Sequence, residues 1–190
     1  MKLQNKNTHT VDFIRTYSDV LDHTTCQTII QVFESSDQKE RIENDGRPNF
    51  TQVNLNNITE INKFVQLLSY RFCDAMRKYK EEYQDFTDWW PNKVFFEQLR
   101  VKKYDPDSED FFNLHVDVQD HDSAKRYLAF LCYLNDDFEG GETRFPYHDL
   151  SIAPELGKVL VFPPTWQYPH IGFPVSQKPK YILSTYLHYY

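Results

Sequence analysis

At 190 residues with 40% apolar side chains, the chain can bury a substantial core and has the size of one domain rather than two. Its formal net charge of −7 opposes the gripping of phosphate backbones, so nucleic acid is not an expected partner. No apolar run approaches the roughly 18 residues that span a bilayer, and Cys26, Cys73 and Cys132 form no CxxC pair, which with the absence of an apolar leader in "MKLQNKNTHTVDF" points to a reducing cytoplasm.

In chain order, "TTCQTIIQVFESS" predicts a helix capped by Thr24 or Thr25, with Ile29, Ile30, Val32 and Phe33 forming its apolar side. A polar link, "DQKERIENDGRPN", follows. The next helix runs through "NITEINKFVQLLSYRFCDAMRKYKEEY", where Ile61, Phe64, Leu68, Phe72 and Ala75 recur at helical spacing behind an Asn57 cap with Glu60 three residues on. Both helices are expected to brace a sheet from outside. From residue 94 the texture changes to short runs rich in Val, Phe, Tyr and Leu near 94–104, 127–135, 158–162 and 181–190. Asp, Gly and Pro clusters separate these runs, as in an all-β region. In "DDFEGGETRFP", Gly140 and Gly141 provide the backbone freedom of a tight turn. The expected fold is therefore mainly β with supporting α-helices. It forms a single domain over 1–190, divided into a mostly helical supporting region at 1–93 and a β core at 94–190.

The chemistry concentrates in "NLHVDVQDH". If residues 113–118 are extended, His115 and Asp117 project to one side and Val116 and Val118 to the other, giving a two-point clamp for a divalent metal. A further histidine would complete the two-histidine, one-carboxylate triad of non-haem Fe(II) oxygenases. His9 and His23 fall in the N-terminal part, His121 lies only four residues past Asp117, and His148 sits in the polar turn "PYHDL". His170, after the strand "KVLVFPP", and His188, in the terminal strand, remain as candidates. An isolated HxD triplet is common by chance, so its neighbours carry the argument.

Those neighbours occur in a fixed order: Tyr104, then "HVD", "RYLAFLCYLND", "GGETRFP", "GKVLVFPP" and "HIGFPVSQKPKYILSTYLH". Together they resemble the prolyl 4-hydroxylase branch of the Fe(II)/2-oxoglutarate-dependent dioxygenases over Phe96 to Tyr190. The resemblance implies a double-stranded β-helix (jelly-roll, cupin-like) core in 94–190, with Fe(II) held by His115, Asp117 and His170. It implies that Lys180, ten residues beyond His170, anchors the C5 carboxylate of 2-oxoglutarate, as in collagen prolyl hydroxylases, with Tyr133 as its hydrogen-bonding companion and Tyr104 lining the cosubstrate. On the terminal strand, Lys180, Ile182, Ser184, Tyr186 and His188 share a face by alternation alone, and a buried ammonium there needs an anion. Arg126, Phe112 and Tyr186 match positions that line the prolyl pocket of relatives. Tyr186 stands where relatives often have Trp, and Ala129 where they often have Thr. Strand parity sets Arg126 opposite Tyr133 unless a bulge intervenes.

The implied activity is hydroxylation of an unactivated C–H bond, foremost at C4 of a prolyl residue in a peptide or protein, with 2-oxoglutarate and O2 converted to succinate and CO2. No catalytic side chain beyond the metal ligands is implied, and ascorbate is an optional reductant. A proline-rich target is the expected partner. The alternatives are a free amino acid or small metabolite as substrate, or a non-catalytic cupin-like binding module. The cluster "LRVKK" and Arg144 are read as an anion-friendly rim.

Overall fold

The computed structural model describes residues 12–43 and 48–190, so His9 lies outside the described residues. In chain order the elements are β1 (Arg15–Tyr17), α1 (His23–Ser35), β2 (Glu40–Ile42), β3 (Phe50–Asn54), α2 (Asn62–Glu82), β4 (Val94–Phe96), β5 (Arg100–Tyr104) and β6 (Phe112–His115). Then come β7 (Arg126–Tyr133), β8 (Glu139–Gly140), β9 (Thr143–Phe145), β10 (Leu150–Ile152), β11 (Val159–Phe162), β12 (His170–Gly172), β13 (Val175–Ser176) and β14 (Lys180–Tyr189).

The near-continuous apolar runs of β7, β11 and β14 reflect burial on both faces of one sheet. That sheet has the order β1-β11-β7-β14-β5-β3-β2, with β4 also on β14, and a smaller sheet, β10-β9-β12-β6, faces it. One side of the large sheet, including Val101, Phe130, Cys132, Val161 and Leu183, packs under Ile29 and Phe33 of α1 and Leu68, Phe72 and Ala75 of α2. The other side, including Tyr104, Ala129, Tyr133, Leu160, Ile182 and Tyr186, meets Phe145 of the small sheet. Two facing sheets braced by two helices are the double-stranded β-helix architecture implied by the resemblance. Among the described residues, no helix is long and apolar enough to cross a membrane, and all three cysteines are free.

Several boundaries differ from the sequence reading. Asp22, not Thr24 or Thr25, caps α1, its carboxylate accepting from the Thr25 N–H at 2.8 Å. A β-extended Asp reaches back to the first free amides, whereas both threonines already lie within the first turn. Asn57 does not cap α2. It ends a 3₁₀ turn, Leu55–Asn57, tied to the sheet by Leu55 N–H donating to Leu99 O (2.9 Å) and Leu99 N–H to Asn56 Oδ1 (2.7 Å), and the helix begins at Asn62. Among the described residues before 94, α1 and α2 are joined by β1, β2 and β3, which extend the large sheet, and β2 lies within the expected polar link.

Candidate active site

Antiparallel pairing of β6 with β12 puts His115 directly opposite His170, with ring centroids 4.1 Å apart. This pairing joins residues far apart in sequence and selects His170 over His188 and His121. Strand β6 ends at His115, so Asp117 is not the next inward residue of a regular strand, as alternation predicted. It sits in a bend where the Asp117 and Val118 N–H groups both donate to Pro164 O at 3.1 Å. Asp117 Oδ1 lies 3.5 Å from His115 Nε2, and Oδ2 lies 3.7 Å from His170 Nε2.

The Nδ1 atoms of His115 and His170 approach the carbonyls of Asn113 (2.6 Å) and Tyr168 (3.1 Å). A carbonyl only accepts, so each Nδ1 donates to it and each Nε2 is turned towards Asp117, where a metal would sit. Burial pushes His170 down to about 4, against the opposing pull of Asp117, which keeps the ring a neutral donor. Burial alone would raise the Asp117 carboxyl, but His170, His115 and Lys102 outweigh it and hold it well below the usual carboxylate range. Two imidazole nitrogens and one carboxylate, converging within 4.8 Å, fit a divalent transition metal that keeps positions open for other ligands.

A narrow cavity leads inward from the three donors between Tyr104, Leu131, Ile182 and Lys180. Lys180 is 1% exposed, and its ammonium donates to Gly141 O at 2.9 Å and lies 4.8 Å from the Tyr104 ring centroid. Gly141 sits at φ +76°, and a Cβ there would come within 3.1 Å of the Lys180 stem, so the glycine admits the lysine and offers it a carbonyl. Burial pushes the Lys180 ammonium down to about 7, with Glu142 pulling weakly the other way. Tyr104 lines the cavity as expected. Tyr133 is buried, with its hydroxyl donating to Thr143 Oγ1 at 2.7 Å. Thr143 is a residue the sequence reading missed.

Outward, the donors open into a cleft of about 410 Å³. Arg126, Phe112 and Tyr186 all line it. Arg126 faces inward because β7 bulges at Tyr127: Leu187 pairs with Leu128, but His188 pairs with Arg126. Its guanidinium lies 4.0 Å over the Tyr186 ring, donates to Asp117 O at 2.9 Å and pairs with Glu97 at 2.8 Å. Phe112 stacks on His115 at 3.5 Å between centroids. Of the predicted basic rim, Arg100 and Lys102 line the cleft. Lys103 turns to the other face, towards Glu34 and Asp105, and Arg144 is exposed on the small sheet. Glu97, the shared partner of Arg100, Arg126 and His188, had no sequence signal, since those contacts follow from the packing of β4, β7 and β14. His121 is fully exposed, and His148 stacks on Tyr168 away from the donors.

The fold and site together define a double-stranded β-helix with a two-histidine, one-carboxylate metal centre at the mouth of a cation-ended cavity. A family model described as the 2OG-Fe(II) oxygenase superfamily matches residues 99–188, the segment that supplies the three metal donors, Lys180 and Arg126. Over that segment the chain is similar to 2OG-Fe(II) oxygenases, and its two-histidine, one-carboxylate donor set fits a 2-oxoglutarate- and Fe(II)-dependent dioxygenase. No curated protein matches by sequence. The viral collagen prolyl hydroxylase of Paramecium bursaria Chlorella virus-1, solved with 2OG, superposes at TM-score 0.70 with 20% identity, covering 94% of this chain and 97% of that one. A Trichoplax adhaerens prolyl hydroxylase in complex with a hypoxia inducible factor oxygen degradation domain peptide gives 0.74 at 14% identity, covering 94% and 84%. A Pseudomonas putida prolyl-4-hydroxylase gives 0.66 at 14%, covering 94% of each chain.

Proposed function

We propose that this dioxygenase hydroxylates a prolyl residue of a peptide or protein, at C4. His115, Asp117 and His170 hold the iron, Lys180 binds the C5 carboxylate of 2-oxoglutarate, and Tyr104 packs along the cosubstrate. When bound, Fe(II) with 2-oxoglutarate and O2 supplies the oxidising chemistry, and the protein supplies position and a water-poor site. Arg126, fixed by Glu97 and the Asp117 carbonyl, presents a rigid donor beside the metal, and Phe112 and Tyr186 form apolar walls for a proline ring. No side chain is assigned as a general base.

The observation that carries the reading is the continuity of an open cleft, a three-donor metal centre and an inner cavity ending in a buried lysine that pairs with no carboxylate among the described residues. That the cleft is open to solvent supports a peptide over a free amino acid, and the prolyl hydroxylase likenesses support proline. The free thiols suit a reducing compartment, which is part of the proposal. The test is succinate release from 2-oxoglutarate with Fe(II), screened across proline-containing peptides and free amino acids, with mass spectrometry of each peptide. A gain of one oxygen on proline is expected. Turnover stimulated by free amino acids alone would replace the peptide with a small metabolite.

A further inference from the structure

Lys102 is a cation in the cleft that the reading above leaves without a task. Its ammonium lies 5.0 Å from the Phe50 ring centroid and 6.0 Å from that of Phe112, and among the described residues it has no hydrogen bond or ion pair. Burial pushes it down to about 8, while Asp117 and Glu97 pull the other way. Both of those carboxylates are committed elsewhere. Asp117 faces the two metal-binding imidazoles, and Glu97 holds Arg126 at 2.8 Å, Arg100 at 3.4 Å and the His188 ring. Lys102 is half-buried in the wall of the open cleft, beside two ring faces and with no anion in contact among the described residues, so it is placed to meet one from outside the chain.

The register shows which ligand that anion would come with. On β14, Lys180 pairs with Tyr104, Ile182 with Lys102 and Ser184 with Arg100, so Lys102 stands one pleat outward from Lys180, where the inner cavity and the cleft meet and both are lined by it. Across β3 it faces Gln52, which also lines the cleft. Phe112 lies between Lys102 and the His115 ring, keeping the ammonium close to the reacting centre. Lys102, Arg100 and Arg126 then face a bound substrate, with Glu97 paired to the two arginines.

We propose that Lys102, supported by Arg100, is an anion-recognition subsite, and that the substrate carries a carboxylate on, or one residue from, the residue that is hydroxylated. This rests on the prolyl reading and narrows its substrate class to acidic sequences or to a proline with a free carboxyl group.

The experiment compares wild type, Lys102→Gln and Lys102→Arg on matched pairs of proline peptides. One pair carries Glu or Gln beside the proline, and the other ends in proline with a free or an amidated carboxyl group. Binding is read by anisotropy of labelled peptides to the Fe(II)–2-oxoglutarate complex without O2, and hydroxylation by mass spectrometry. Wild type should favour the carboxylate member of at least one pair by about tenfold or more, and which pair responds names the source. Lys102→Gln should reduce that preference to under about threefold, mainly through KM, and Lys102→Arg should restore it. Hydroxylation of both members alike in wild type, or a preference that survives Lys102→Gln, overturns the subsite. So does a rise in KM for 2-oxoglutarate with the peptide preference intact, which would give Lys102 to the cosubstrate. Lys102-dependent binding of carboxylate peptides without hydroxylated proline keeps the subsite and removes the prolyl reading. If no peptide binds, free amino acids are compared with their amides by competition, and equal behaviour of the two overturns the subsite.

Discussion

Removing the Lys180 ammonium gives the most direct test of how the inner cavity works. Lys180 is 1% exposed and among the described residues its one hydrogen bond is to the Gly141 carbonyl, with the Tyr104 ring beside it, so a cosubstrate carboxylate would supply the counter-charge in contact. A hydrogen bond to a charged group of this kind is typically worth about 1.5–3 kcal/mol, and leaving the anion unpaired adds to the loss. Lys180→Ala should therefore raise KM for 2-oxoglutarate by roughly tenfold to more than a hundredfold, while iron binding stays near that of wild type. Tyr133→Phe should have a smaller effect, because its hydroxyl is spent on Thr143.

The pH dependence follows from the same lysine. Burial holds its free-state value near 7, and the carboxylate binds the ammonium form, so affinity is full below that value and is lost as pH rises through it. Between pH 6 and 8 the charged fraction falls from about nine-tenths to about one-tenth, raising KM about tenfold, and Lys180→Arg should flatten the profile. The assay is succinate release titrated with 2-oxoglutarate at saturating Fe(II). If Lys180→Ala matches wild type at pH 6.5, the cavity does not hold the cosubstrate through this residue.

His115→Ala, Asp117→Ala and His170→Ala should each abolish turnover and weaken Fe(II) binding with the far-ultraviolet circular dichroism unchanged, and oxygen consumption at the wild-type rate by any of them removes it from the triad. His121→Ala should retain iron and activity, because its side chain is fully exposed, and loss of metal in that variant would reassign a ligand. Gly141→Ala places a Cβ 2.7 Å from Phe138 and Val175 at φ +76°. A left-handed non-glycine residue costs about 1–2 kcal/mol, so Tm should fall by about 2–8 °C, with KM for 2-oxoglutarate rising as the Lys180 seat shifts; an unchanged Tm would show that the turn relaxes freely.

The sequence by itself determined the features that depend on nearest neighbours and periodicity. Alternation along the terminal strand placed Lys180, Ile182, Ser184 and Tyr186 on one inner face, and the paired glycines marked the turn that receives Lys180. Helical spacing found the buried faces through Phe33, Leu68 and Phe72, though not the caps, since Asp22 competes with two neighbouring threonines and the Leu55–Asn57 turn is anchored to Leu99. The ordered series of motifs, more than any single triplet, pointed to the ligands and the cavity lysine.

Tertiary structure decided what depends on pairing between distant segments. The β6–β12 register chose His170 over the other histidines, and the Pro164 carbonyl, remote in sequence, aimed Asp117 after its strand had ended. One extra residue at Tyr127 turned Arg126 from the helix-covered face to the cleft, an inversion that period-two alternation can allow for but cannot locate. Lys102 and Lys103 are adjacent in sequence, yet the pleat sends one to Phe50 and Phe112 beside the metal centre and the other to Glu34. Which of two neighbouring cations meets the substrate depends on which face of the sheet is closed by helices and which is left open to the cleft, and only the packed layers set that.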